Sequence, residues 1–184
     1  VMDNNGVHTL GIDKSSKSQI MDHLYSGLKS GKDGEDWSVE VGENSQKVKD
    51  SLNALIDFVM HNTGDAFKKG IGEFLDVQSA MDYFLFSYVS CGLDSLARNM
   101  LLGTYDGKKW FCGQYDLDST FGLWWDGTKF VSAEYACPEQ YQEPFSLLWE
   151  RILSCYVEEL KERYGQLRKG ALSFANMVSR FERF

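Results

Sequence analysis

From Ser45 onward, apolar side chains recur in steps of three and four, at Val48, Leu52, Leu55, Ile56, Val59 and Met60. That spacing predicts a helix with one face turned to a core, capped by Ser45 and stopped by Gly64. A second helix is predicted behind Asp76 as N-cap. It runs through Val77, Met81, Phe84, Leu85, Tyr88 and Val89 to a stop near Cys91 and Gly92. Its aromatic density predicts a central core helix. The period then changes. Met100-Leu101-Leu102 and Trp110-Phe111-Cys112 flank Asp106-Gly107, which predicts two antiparallel strands joined by a two-residue turn. Beyond them, Leu147, Leu148, Ile152, Tyr156 and Leu160 predict one long helix from near Pro144. A last helix is expected from about Gly170 to Phe184.

The first part of the chain is weaker in pattern. Asn4-Asn5-Gly6 leads into Val7-His8-Thr9-Leu10, an alternation that suits a hairpin strand, and Trp37 to Val41 suits a short strand inside a polar loop spanning 26–44. Residues 126–142 read as a long polar and aromatic loop. The expected fold class is α+β, mostly helical, with a small antiparallel hairpin at its centre. The expected division is 1–44 for N-terminal strands and linker and 45–184 for a helical domain.

A chain of 184 residues with 43% hydrophobic side chains can bury one core. Acidic side chains outnumber basic ones by 27 to 19, for a net charge of −8. With no basic stripe in addition, this argues against a nucleic-acid partner and against an anionic membrane surface. No segment is apolar over a length that spans a bilayer. No charged-then-apolar leader follows Val1, so no targeting signal is expected. Cys91, Cys112, Cys137 and Cys155 form no CxxC pair and are expected as buried free thiols of a reducing compartment. His8, His23 and His61 show no zinc-ligand spacing. Trp124-Trp125 is expected to pack in a loop or core rather than to stack on a ligand.

The chemistry concentrates between Asp94 and Gly122. In a hairpin turning at Asp106-Gly107, facing residues have numbers summing to about 213, so Asn99 is expected opposite Gln114, beside Tyr115 and Asp116. Asp94 lies on the turn just before. Two bare carboxylates about 5 Å apart repel by roughly 3 kcal/mol at an effective dielectric near 20. A hard divalent cation such as Mg²⁺ or Mn²⁺ relieves that repulsion and also binds phosphate oxygens. Asp94 and Asn99 are five residues apart, and a hairpin then leads to Asp116-Leu117-Asp118-Ser119-Thr120-Phe121-Gly122. Protein kinases use the same order: a catalytic Asp, an Asn five residues on, and a metal-binding Asp before Phe-Gly.

These pieces resemble the CotH kinase family, the atypical kinases similar to spore coat protein H. The resemblance rests on Phe74-Leu75-Asp76-Val77, on Asp94 with Arg98-Asn99, on Lys108-Lys109-Trp110, and on Tyr115-Asp116-Leu117-Asp118 with Phe121-Gly122. It extends to Phe145 through Leu153, to Arg163-Tyr164, and to Gly6 through Leu10. It implies a kinase-like catalytic lobe with a remnant of N-lobe strands, ATP bound with Mg²⁺ or Mn²⁺, and phosphoryl transfer to a protein Ser or Thr. Asp94 would be the catalytic base or hydroxyl-positioning residue. Asn99 and one or both of Asp116 and Asp118 would hold the metal and its nucleotide. Leu93 stands where ordinary kinases carry Arg, His8 where the family shows Tyr, and Asp13-Lys14 only loosely replaces its Glu-Lys.

No Gly-rich phosphate loop and no strand lysine for the ATP phosphates is found, so the chain is expected to be an incomplete fragment whose N-lobe would precede Val1. An apolar face left uncovered by that lobe would favour a homodimer of the fragment. The compartment stays open between bacterial cytoplasm and a spore coat or phage particle. Simpler roles stand beside these: Asp94 as a helix cap, Asn99 bonding backbone at the strand entrance, and Asp118 capping the turn through Phe121. A non-catalytic structural module of a coat or assembly protein is the alternative from another class. A metal-dependent hydrolase using the same aspartates is the third.

Overall fold

The computed structural model describes Met2–Asn4, Trp37–Val39, Gly42, and residues 45–92, 95–96, 100–118, 120–123, 126–128 and 147–183. The strand expected at Val7 to Leu10, the Trp124-Trp125 pair, Cys137 and most of the 126–142 loop lie outside the described residues.

Helix α1 (Gln46–His61) forms where the apolar spacing predicts, with Leu52, Leu55, Ile56 and Val59 buried. Ser45 occupies the N-cap position in an extended conformation, but its side chain makes no capping bond. Gly64 is not the stop. The helix ends at Asn62, whose backbone N–H and side-chain amide both donate to the Phe58 carbonyl. Gly64, at φ +52°, opens helix α2 (Gly64–Gly70) instead. A positive φ suits glycine because it has no Cβ to clash. A 3-10 turn over Ile71–Glu73 follows. Gly70 sits so close to Phe58 that a Cβ there would lie 2.6 Å from the ring, so the two helices pack almost backbone to ring.

Helix α3 (Val77–Val89) is capped as expected, since the Asp76 carboxylate accepts the Ser79 N–H at 3.1 Å. It buries Ala80, Met81, Tyr83, Phe84, Leu85 and Ser87, too many sides for a surface helix, which makes it the central one. Its end is a Schellman arrangement. Cys91 sits at φ +52°, and the Gly92 and Cys91 N–H groups donate back to the Ser87 and Tyr88 carbonyls.

Strands β1 (Met2–Asn4), β2 (Trp37–Val39), β3 (Met100–Thr104) and β4 (Trp110–Gln114) form one antiparallel sheet in the order β2-β1-β3-β4. The hairpin is therefore one half of a wider sheet. Its register differs from expectation by one residue: Met100, not Asn99, faces Gln114, and Thr104 faces Trp110. The cause lies in the turn. A two-residue type I′ turn needs positive φ at both central residues, whereas only Gly107 shows it there, at +70°. The chain instead makes a longer loop around the Asp106 carboxylate, which accepts from Thr104 Oγ1 and from the Lys108 and Lys109 N–H groups.

Trp110 fixes β4 against the helices. It is fully buried, its indole N–H donates to Ser51 Oγ of α1 at 3.1 Å, and its backbone exchanges bonds with Phe74 and Asp76. The long helix expected from Pro144 is two helices, α4 (Leu147–Cys155) and α5 (Val157–Lys169), broken at Tyr156. Tyr156 stays buried while its hydroxyl donates to the Lys68 carbonyl at 3.0 Å and the Lys68 ammonium lies over its ring. Both halves face the same core, so the apolar spacing runs unbroken through the bend. Arg163 of α5 grips Asp82 of α3 with two bonds, at 2.7 and 2.9 Å. Helix α6 (Phe174–Phe181) is shorter than expected. Ser173 caps it, and it has no buried residue. None of the described helices is long and apolar enough to cross a membrane.

Candidate functional site

Of the residues singled out by the sequence, Asp116 and Asp118 follow the end of β4, in a loop bonded to the end of α3. After the Schellman turn the chain is held twice from the core: the Tyr83 hydroxyl donates to the Ser95 carbonyl, and the Trp149 indole N–H donates to the Leu96 carbonyl at 2.9 Å. Tyr83 and Trp149 lie face to face, with ring centroids 5.5 Å apart and planes 5° from parallel. Both are buried. Asp94 and Asn99 lie outside the described residues, but the residues flanking them, Gly92, Ser95, Leu96 and Met100, are all buried.

Beyond Gln114 the chain leaves the sheet, and residues 115–118 are exposed. Asp116 adopts φ +51° and Phe121 φ +53°. Non-glycine residues rarely hold such backbones, and they hold them only where their surroundings require it. Here the requirement is visible. The Phe121 N–H donates to the Ser90 carbonyl, at the C-cap of α3, and the Thr120 hydroxyl donates to the Leu117 carbonyl at 2.7 Å. The Asp116–Asp118 loop is thus fastened beside the turn that leads into Asp94. The Phe121 N–H is taken by Ser90. Gln114, whose side-chain amide donates to the Tyr83 carbonyl and Ser87 Oγ, keeps the end of β4 against α3.

The protein-family model described as CotH kinase protein matches residues 3–184. The chain belongs to the CotH kinase family. No curated protein and no solved structure matches it. For a member of this family, the structure brings one pair of the expected site residues, Asp116 and Asp118, onto a single exposed loop. Among the described residues, no three of His, Cys, Asp and Glu form a group that could hold a metal ion. The donors present are nonetheless of the right kind, since carboxylate oxygens on a surface loop suit a hard cation that keeps several waters.

Reading the sequence missed Ser90 and Trp149 as supports of this region. Ser90 acts through its backbone carbonyl, which leaves no mark in side-chain pattern, and Trp149 looks in sequence like any other core aromatic. The thiols are a partial correction. Cys91, Cys112 and Cys155 are free, but each is partly accessible as a residue. The Cys112 thiol itself is enclosed; burial, helped by the Asp76 charge, pushes it up to about 12. Burial also raises Cys91. Neither thiol is set up as a nucleophile.

Proposed function

We propose that this chain is the catalytic-lobe portion of an atypical protein kinase that transfers the γ-phosphoryl group of ATP to a Ser or Thr hydroxyl of a protein. The observation that carries the reading is the Phe121–Ser90 bond, which fastens the Asp116–Asp118 loop beside the segment bearing Asp94 in a chain matched by the family from residue 3 to 184. In this reading the acceptor oxygen forms a bond to the γ-phosphorus as the bond to the ADP oxygen breaks. The hydroxyl proton passes to Asp94. Asp116 and Asp118, with Asn99, would hold a divalent cation, Mg²⁺ or Mn²⁺, which supplies charge neutralisation on the phosphate oxygens. Phosphoryl transfer depends mainly on positioning and electrostatic stabilisation, so few side chains are needed and rigid backbone supports matter.

The test is calorimetric binding of Mn²⁺ and ATP, comparing the chain with its Asp116→Ala and Asp118→Ala forms, followed by phosphoryl transfer assays. The expected result is metal-dependent nucleotide binding that at least one substitution weakens by roughly a hundredfold, with melting almost unchanged because both side chains are exposed. Absence of metal-dependent binding here and in a longer parent would overturn the reading and favour a structural module of a coat or assembly.

A further inference from the structure

Towards the C-terminal end of α3 there is an apolar cavity of about 380 Å³, bounded by Phe86 and Val89, by the α5–α6 turn, and by Met177 and Phe181 of α6. Phe121, from the loop just described, forms one wall, and the Phe181 ring meets it edge to face at 6.0 Å. Phe86, Ala171 and Leu172 also line a second cavity of about 470 Å³ that leads along α3 towards Leu167 and Cys112. The two spaces therefore share a boundary, and the room they offer is elongated.

The polar groups along it are engaged within the protein, except for Gln114 Oε1, which is buried without a hydrogen-bond partner. Ser79 Oγ donates to the Asp76 carbonyl and accepts from the Cys112 N–H. Asp82 is held by both arms of Arg163. The Gln114 amide nitrogen is shared between Tyr83 and Ser87. Arg180, at the α6 end, is different: it is the one charged residue lining the first cavity and makes no ion pair among the described residues. In a chain of net charge −8, an isolated guanidinium at the mouth of an apolar space selects for an anionic head with an apolar body. Helix α6 points the same way. It is eight residues long and has no buried side chain, with Phe174 81% and Phe181 64% exposed. So short a helix gains stability mainly from packing its apolar face.

We propose that this elongated cavity binds a free acyl-chain carboxylate, its head on Arg180 and its chain along α3 beneath Phe121. Occupancy buries the apolar face of α6 and braces Phe121, and through it the Asp116–Asp118 loop. The proposal stands apart from the phosphoryl-transfer reading, because binding is measured without nucleotide.

The experiment is calorimetry of the full chain with monomeric decanoate and with 1-decanol, together with amide exchange at Phe121 and through α6. Decanoate is expected to saturate at one per chain and to slow exchange at both places. Arg180→Glu is expected to weaken decanoate about tenfold while leaving 1-decanol unchanged, and Arg180→Lys to retain most of the affinity. Far-UV circular dichroism of the variants checks that α6 still forms. Three results would overturn the proposal: no saturable binding, equal decanoate affinity in Arg180→Glu, or binding to phosphatidylglycerol vesicles without binding of monomeric decanoate.

Discussion

At the turn end of the β3–β4 hairpin, a single carboxylate organises the backbone: Asp106 collects Thr104 Oγ1 and the Lys108 and Lys109 N–H groups. At the open end the arrangement is inverted. There the backbone is held by other means, a Ser90 carbonyl on the Phe121 N–H and a Thr120 hydroxyl on the Leu117 carbonyl, while Asp116 and Asp118 lie at the surface. One aspartate serves the fold locally. The others are carried on an exposed loop that is fastened through its backbone. An aspartate whose oxygens already accept backbone donors, as those of Asp106 do, is a poor candidate for a ligand site.

The largest way to break this comparison is at Trp149. The open end depends on core packing brought from a distant helix, so Trp149→Ala is expected to cost about 3–5 kcal/mol in a urea titration, as deletion of a fully buried indole does. Trp149→Phe keeps most of the packing but loses the bond to Leu96, and is expected to cost less, about 1–2 kcal/mol. A negligible cost for Trp149→Phe would show that the indole N–H contributes nothing to holding the Ser95-Leu96 segment. A smaller change of opposite sign is expected at Cys91. Its positive φ favours glycine, so Cys91→Gly should stabilise the chain by about 1 kcal/mol, read as a higher midpoint.

The smallest effect belongs to the turn end. The Lys109 and Lys108 N–H groups hold the Asp106 carboxyl below the usual carboxylate range. A depressed folded value means that the contribution is present above the unfolded value, about 4, and is lost as pH falls through the folded one. Wild-type melting is therefore expected to drop more steeply below about pH 4 than that of Asp106→Asn, whose amide oxygen still accepts but does not titrate. Parallel curves would mean that the turn is held by Gly107 and Thr104 alone.

Much of this fold is legible in the sequence where one local rule decides. Asp76 before an apolar helix is an N-cap on either account, and the α1 face follows from its spacing. What was not legible depends on partners far along the chain. The hairpin register slipped by one residue because Asp106 chose side-chain acceptance over a type I′ backbone. The break at Tyr156 leaves no mark in the apolar spacing, and the partner of its hydroxyl, the Lys68 carbonyl, lies 88 residues away. At the candidate site, the position of Asp116 and Asp118 just past the hairpin could be read, but their loop's left-handed backbones and its fastening to Ser90 could not.

Trp110 offers a last consequence. Its N–H and carbonyl are taken by Phe74 and Asp76, and the Cys112 N–H two residues on is taken by Ser79 Oγ. The outer edge of the sheet at β4 is therefore consumed by the chain's own approach to α3. An unpaired strand edge invites addition of another strand, from a neighbour in aggregation or from an extended peptide in recognition. Here neither can dock along the Trp110–Cys112 stretch of β4.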